Sequence, residues 1–344
     1  MAYTTIKKST EHFNTKLYTG NGSTQSITGV GFQPDFVWLK QRSSGVYYHR
    51  LQDSIRGAGK PIYSNRTDAE GDFGTGTTGS IRTFDTDGFS IGSDTGSNEN
   101  NTTMVSWNWK ANGTGSSNTD GSITSTVSAN TTNGFSIVSY TGNETAGATV
   151  GHGLSSTPKM IILKNRNSTD DWVVYHESLG NTQSIRLNLT NASATTPASF
   201  NNTSPTSSVF TLGDWTGVNG SSMIAYCFAE KQGFSKFGSY TGNGSTDGTF
   251  IYTGFKPAFV IFKKTSATAN WSVRDNKRDS FNAGDTNLFA NLSDAESSSN
   301  DVDFLSNGIK LRNAGNNWNS SGATYIYMAF AEEPLVGDNP ATAR

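Results

Sequence analysis

A single cysteine, Cys227, stands in 344 residues. It excludes an intramolecular disulfide framework and matches no metal-ligand spacing. A chain without disulfides suits assembly in a reducing cytoplasm. Charge is scarce too: only 16% of residues are Asp, Glu, Lys or Arg, and the net charge is −2, where ~25% charged is usual. No basic field is available to hold nucleic acid or an anionic membrane. No apolar run approaches the ~18 residues of a membrane span. Met1–Tyr18 contains no apolar stretch of a signal peptide. The four histidines, His12, His49, His152 and His176, form no i, i+4 pair, so the helical metal motif is missing. Nucleophile elbow, P-loop and dinucleotide motifs are missing as well. No cofactor and no metal site are expected, and the chain reads as a non-enzyme.

Helix formers give way to Gly, Ser, Thr and Asn, with 37 glycines alone; these residues favour turns over helices. Aromatics nevertheless make up 11% of the chain, which argues against disorder. A polar chain rich in aromatics fits thin β-sandwiches with small cores and many turns.

The chain repeats itself three times. Tyr18-Thr19-Gly20-Asn21 returns as Tyr140-Thr141-Gly142-Asn143 and as Tyr240-Thr241-Gly242-Asn243. Each is followed by a proline (Pro34, Pro158, Pro257) and then by an apolar run closed by lysine: Phe36 to Lys40, Met160 to Lys164, Phe259 to Lys263. Consecutive apolar positions predict a strand covered on both faces, and a proline suits its start. The lysine reads as its solvated end. Each repeat closes on a segment of period two: Val105-Ser106-Trp107-Asn108-Trp109, Ile224-Ala225-Tyr226-Cys227-Phe228 and Ile326-Tyr327-Met328-Ala329-Phe330. That period is a strand with one buried face. It predicts Trp107, Trp109, Tyr226, Phe228, Met328 and Phe330 in the core, and Cys227 as a small residue on the other face.

The fold class that follows is all-β: three tandem antiparallel β-sandwich domains of roughly 100 residues, a usual sandwich size. The map is an N-terminal segment 1–11, repeat 1 over 12–111, a linker 112–132, repeat 2 over 133–230, repeat 3 over 231–333 and a tail 334–344. The Gly/Ser/Thr/Asn-rich linker carries strand character around Ile123 to Val127.

Candidate chemistry is thin. Asp85-x-Asp87-Gly88 resembles a calcium loop but lacks its further acidic ligands and reads as a turn. His49 and His176 each follow a tyrosine, and Asp275 stands at the third such place, which points to a surface position. Trp215 and Trp318 lie in Gly/Asn-rich loops before the closing strands. Asp214 and Asn219 flank the first; Asn316, Asn317 and Asn319 surround the second. An indole beside fixed amides is the chemistry of sugar stacking, so these loops are the candidate glycan site. The alternative is that each indole folds back as a lid over a thin core.

The combination of Tyr18 to Asn21, Gly31 to Lys40, Asp87 to Ile91 and Tyr325 to Pro334 resembles a repeated domain in structural proteins of marine bacteriophages, including those of cyanobacteria. The resemblance covers nearly the whole chain, and such proteins are labelled tail-fibre-like or lectin-like. It implies a virion component assembled in the bacterial cytoplasm and displayed on the particle, with other virion proteins as partners. A homo-oligomer is expected, with a trimer as first choice and the two ends as attachment segments. Three functions compete. The chain is a tail fibre or short appendage contacting host-surface glycan, a capsid decoration or tail-assembly piece, or a glycan-degrading enzyme. The first two stand well ahead of the third.

Overall fold

The computed structural model describes residues 4–334 and Val336. Residues 1–3 and the rest of the expected tail lie outside the described residues. The described chain is all-β: antiparallel sheets joined by loops and single helical turns. Among the described residues no helix is long and apolar enough to cross a membrane.

Each repeat builds one main sheet with the same strand order: opening, closing, Pro-led and flanking strand. In repeat 1 these are Phe13–Thr19, Thr103–Trp109, Phe36–Gln41 and Arg50–Asp53. In repeat 2 they are Phe135–Tyr140, Met223–Phe228, Met160–Asn165 and Val173–His176. In repeat 3 they are Ser235–Thr241, Thr324–Pro334, Phe255–Lys264 and Ser272–Asp275. The closing strand therefore lies inside its sheet. Trp109 faces Phe13 and Phe36, Phe228 faces Phe135 and Met160, and Phe330 faces Ser235 and Phe259. Pro257, which has no N–H to give a ladder, sits at a register shift of the Pro-led strand.

The alternation of the closing strands sorts their side chains onto two faces, and both are covered. On the outer face of repeat 1, Val37 and Leu39 meet Ile27, Ile81, Phe89 and Ile91 of a smaller three-stranded sheet. In repeat 2, Ile161, Leu163, Ala225 and Cys227 meet Val150, Phe210 and Leu212. On the inner face the three repeats share one core. Trp107, Trp109, Tyr226, Phe228, Met328 and Phe330 are all buried within a single apolar cluster. The three equivalent rings at its centre touch each other. Trp109–Phe228, Phe228–Phe330 and Trp109–Phe330 lie 6.4, 6.0 and 5.7 Å apart between ring centroids.

This corrects the tandem picture. Each repeat is layered as a sandwich, but the inner face of its main sheet is buried by the other two repeats rather than by its own second layer. The expected linker 112–132 is also structure. Ser125–Asn130 pairs along the opening strand of repeat 2, and Ser116–Asn118 pairs outside it. Residues 4–11, mapped as an N-terminal segment outside the repeats, reach the shared core through the buried Ile6. The lysines ending the Pro-led runs are not solvated: Lys40, Lys164 and Lys263 are fully buried. Truncating Phe228 or Phe330 to Ala removes one corner of the central triangle. It should cost about 3–5 kcal/mol in a denaturant titration, the usual loss for a core aromatic.

Candidate functional site

The repeated YTGN motif is the first place to look for a site, and its geometry is structural. The hydroxyls of Tyr18, Tyr140 and Tyr240 donate to the carbonyls of Ser97, Val218 and Trp318 at 2.7, 2.5 and 2.7 Å. The next residue is each time a buried asparagine, Asn98, Asn219 or Asn319. Its Oδ1 accepts the backbone N–H of Asn21, Asn143 or Asn243 at 2.9, 2.9 and 3.0 Å. Its amide nitrogen donates to backbone carbonyls, among them Gly92, Gly213 and Asn313. The glycine is required by close approach. A Cβ on Gly20, Gly142 or Gly242 would come within 2.1, 2.2 and 2.4 Å of backbone atoms of Glu99, Asn219 and Ser320. All three clasps join the end of the opening strand to the loop before the closing strand.

These clasps change the reading of the tryptophan loops. Asn219 and Asn319 are spent on holding the turns, not held out beside an indole. Trp318 is buried at 7% exposure. Its indole N–H donates to Asn313 at 2.6 Å, and the Arg274 guanidinium lies 4.9 Å from its ring centroid. It is the lid of the alternative reading, packed into the apolar cluster that holds Ile251, Val302, Phe304, Ile309 and Leu311 of the same repeat. Asn317 accepts the backbone N–H of Asn270 at 2.8 Å. Trp215 is half-buried, with the Arg186 guanidinium 4.7 Å from its ring centroid, and Asp214 is exposed. The two tryptophans are not equivalent: Trp215 lies four residues before the clasp asparagine, Trp318 one residue before it.

The polar chemistry of the molecule gathers instead where the repeats meet. The loop after each flanking strand reaches the next repeat, 1 to 2, 2 to 3 and 3 to 1, closing a ring. The backbone of this contact is the same three times. Glu70 N–H donates to the Arg166 carbonyl at 2.8 Å, Ser193 to Thr265 at 3.0 Å and Glu296 to Arg42 at 2.8 Å. A ring nitrogen ahead of each flanking strand reaches across to the preceding repeat. Trp172 donates to the Tyr63 carbonyl and Trp271 to that of Arg186, both at 2.8 Å, while His49 meets that of Phe289 at 3.0 Å. His49 thus matches Trp172 and Trp271, and His176 matches Asp53 and Asp275. The tyrosine ahead of each histidine suggested a different alignment, and all these groups are buried rather than on the surface.

Side chains make two of the junctions alike. At the 1–2 junction the Glu70 carboxylate takes both Nε and Nη2 of Arg166 at 2.9 Å, and Arg56 at 3.0 Å. Arg56 Nε donates to Asp53 at 2.5 Å, and the Tyr226 hydroxyl donates to the same carboxylate at 2.7 Å. At the 3–1 junction Glu296 takes Arg42 at 2.7 and 2.9 Å and Arg278 at 3.3 Å. Arg278 and the Trp107 indole converge on Asp275 at 2.5 and 2.9 Å. Such bidentate, desolvated pairs are geometrically specific, and they hold the Glu70 and Glu296 carboxyls below the usual range despite burial. At the 2–3 junction the same four places carry Ser193, Thr265, Leu179 and His176, and no ion pair forms there among the described residues.

Two of the buried lysines serve the same seams. Lys164 donates to the Thr67 carbonyl of repeat 1 at 3.0 Å, and Lys263 to the Thr190 carbonyl of repeat 2 at 2.8 Å. Burial pulls the pKa of Lys40 and Lys164 down to about 8 and that of Lys263 to about 7. No sequence signal marks them except the apolar run they close.

Fold and junctions define the class: an all-β protein of three repeated sheets closed around one shared core. The chain belongs to the family described as Domain of unknown function (DUF7483), which matches residues 8–334 and so takes in all three repeats. No curated protein matches the chain, and no solved structure does.

Two outcomes are expected. Asn219→Ala leaves buried backbone groups unpaired and should destabilise by about 1–3 kcal/mol in urea. Stability should also rise between pH 5 and pH 8.5. Folding lowers the pKa of the buried histidines, His176 to about 4, and of the three lysines. Below the folded values both states are protonated and the burial penalty is full. Above them the unfolded chain holds protons that the folded chain has released, so folding gains as pH rises. Unfolded Cys227 works against this only above pH ~8.5. Melting curves across the range should show the rise, less steeply above pH 7 in Lys263→Met; a falling midpoint would contradict the burial of these groups.

Proposed function

We propose that this protein is a non-enzymatic structural component of a bacteriophage particle, a tail fibre or short appendage that contacts host-surface glycan. The observation that carries the reading is the use of the repeated residues. Tyr, Gly and Asn of each YTGN, the clasp asparagines and the buried lysines all serve to lock strands and repeats together. What remains open on the outside is largely polar and loop-built, as suits a rigid body that displays a binding surface. The resemblance to marine phage structural proteins agrees with this reading. Attachment to the particle, in several copies as a homo-oligomer, would raise the avidity of a weak contact.

A capsid decoration or tail-assembly piece is the second reading. It is favoured by apolar residues left exposed on repeat 3, Phe281 at 82% and Tyr252 at 56%, which suit contact with other virion proteins. Gold-labelled antibody against the chain, applied to intact particles from the host that encodes it, tests the proposal. Label at the tail supports the appendage, label over the head supports the decoration, and purified particles free of the chain would overturn both.

A further inference from the structure

The three junctions are built to one plan, and the plan is broken once. At the 1–2 and 3–1 junctions two arginines and a glutamate fill the space beneath the shared backbone contact. At the 2–3 junction the corresponding side chains are Leu179, Thr265 and Ser193. The backbone contact survives, with Ser193 N–H to the Thr265 carbonyl at 3.0 Å, so the walls stay where they are in the other junctions. The result is a cleft of about 520 Å³ between repeats 2 and 3. It falls inside the roughly 300–1,000 Å³ of small-ligand sites. The matching space beside Arg166 in repeat 2 is about 280 Å³, and the guanidinium stands in it.

We infer that the 2–3 cleft is a binding site for a neutral saccharide. It is lined by Leu179, Gln183, Ser193, Ser239, Thr265 and Thr324, among others, and none of its lining residues carries a charge. An acidic or basic ligand would find no counter-charge there, whereas a sugar offers hydroxyls to the hydroxyls and amide and C–H faces to Leu179. The pseudo-symmetry also shows which groups have been released. In repeat 2 the Arg166 guanidinium reaches the Ser139 hydroxyl at 3.5 Å. In repeat 3 the equivalent Ser239 lines the cleft where Thr265 stands in place of the arginine, and its hydroxyl has no partner among the described residues. The Gln183 amide nitrogen likewise has none there, while its oxygen accepts the Ser193 hydroxyl at 2.8 Å. That bond fixes the orientation of the amide and leaves its donors free for a ligand. A clasped loop on one side and a backbone-locked loop on the other make the cleft largely preformed, which lowers the ordering cost of binding.

The inference rests on the glycan-contact reading above and places the contact in this cleft instead of the Trp215 and Trp318 loops. The experiment uses the full chain. An array of neutral oligosaccharides built from glucose, galactose, mannose and N-acetylhexosamines, beside sialylated and uronate-bearing ones, identifies the best neutral trisaccharide for calorimetric titration. The double variant Ser193→Glu/Thr265→Arg installs the pair that closes the other two junctions. It should fold, with a melting midpoint at or above that of the parent, and lose at least tenfold in affinity. Gln183→Ala, which leaves the cleft open, should lose at least threefold and serves as the deciding variant if the double variant does not fold. No binding of any neutral oligosaccharide, binding of acidic ones only, or unchanged affinity in the folded variants would overturn the inference. A chain found on the particle whose cleft binds no sugar loses this inference alone; a chain that binds sugar but is absent from particles loses the virion reading alone.

Discussion

The contact of Trp109, Phe228 and Phe330 is the constraint on which the rest depends. Each ring comes from the closing strand of a different repeat, and each closing strand lies between two others of its own sheet. Because the inner faces meet here, no repeat has a core of its own on that side. Buried aromatics contribute large apolar area and a preferred edge or tilt to their neighbours. The central triangle therefore sets how the three sheets face each other. Once they are so placed, the loops after the flanking strands are brought against the next repeat, and the junction bonds form.

The junctions then decide what the surface can do. Burying an ion pair is costly unless every group is satisfied, and at two seams the Asp, two Arg and Glu satisfy one another together with a tyrosine or tryptophan of the neighbouring closing strand. At the third seam the replacement of this set is coordinated. A lone arginine or glutamate left behind would be a buried charge without its partner, so the positions change together to Leu179, Ser193 and Thr265. His176 stands where the others have aspartate. Its Nδ1 still accepts the Ser178 N–H at 3.2 Å, and burial keeps the ring neutral. The turn is thus maintained while the charge is removed, and the space it occupied opens to solvent.

Much of this was legible in the sequence, and the part that was not has a physical reason. Period two in the closing segments identified Trp107, Trp109, Tyr226, Phe228, Met328 and Phe330 as the buried face, because alternation reports burial whatever covers it. For the same reason it could not tell a private core from a shared one, and three sandwiches in a row were the natural expectation. Lys40, Lys164 and Lys263 were misread because a lysine after an apolar run ordinarily marks solvent; here nearby backbone carbonyls receive it, and for Lys164 and Lys263 the preceding repeat supplies one of them. The Asn partners of the clasps lie 76 or 77 residues from the motif asparagine they hold, a pairing no local pattern displays. Trp318 looked like a stacking platform since its neighbours are Gly and Asn, yet those neighbours are turn builders. The emptied 2–3 junction was invisible for want of the alignment of His176 with Asp53 and Asp275, which only strand register supplies.

The central claim is that three repeats make one cooperative body around a shared core. Native-state hydrogen exchange on the full chain tests it most directly, through the amides of the three closing strands. One body predicts a single opening free energy common to Met104 to Trp109, Met223 to Phe228 and Ile326 to Phe330. Three separate values, with each repeat opening while the other two stay protected, would contradict it.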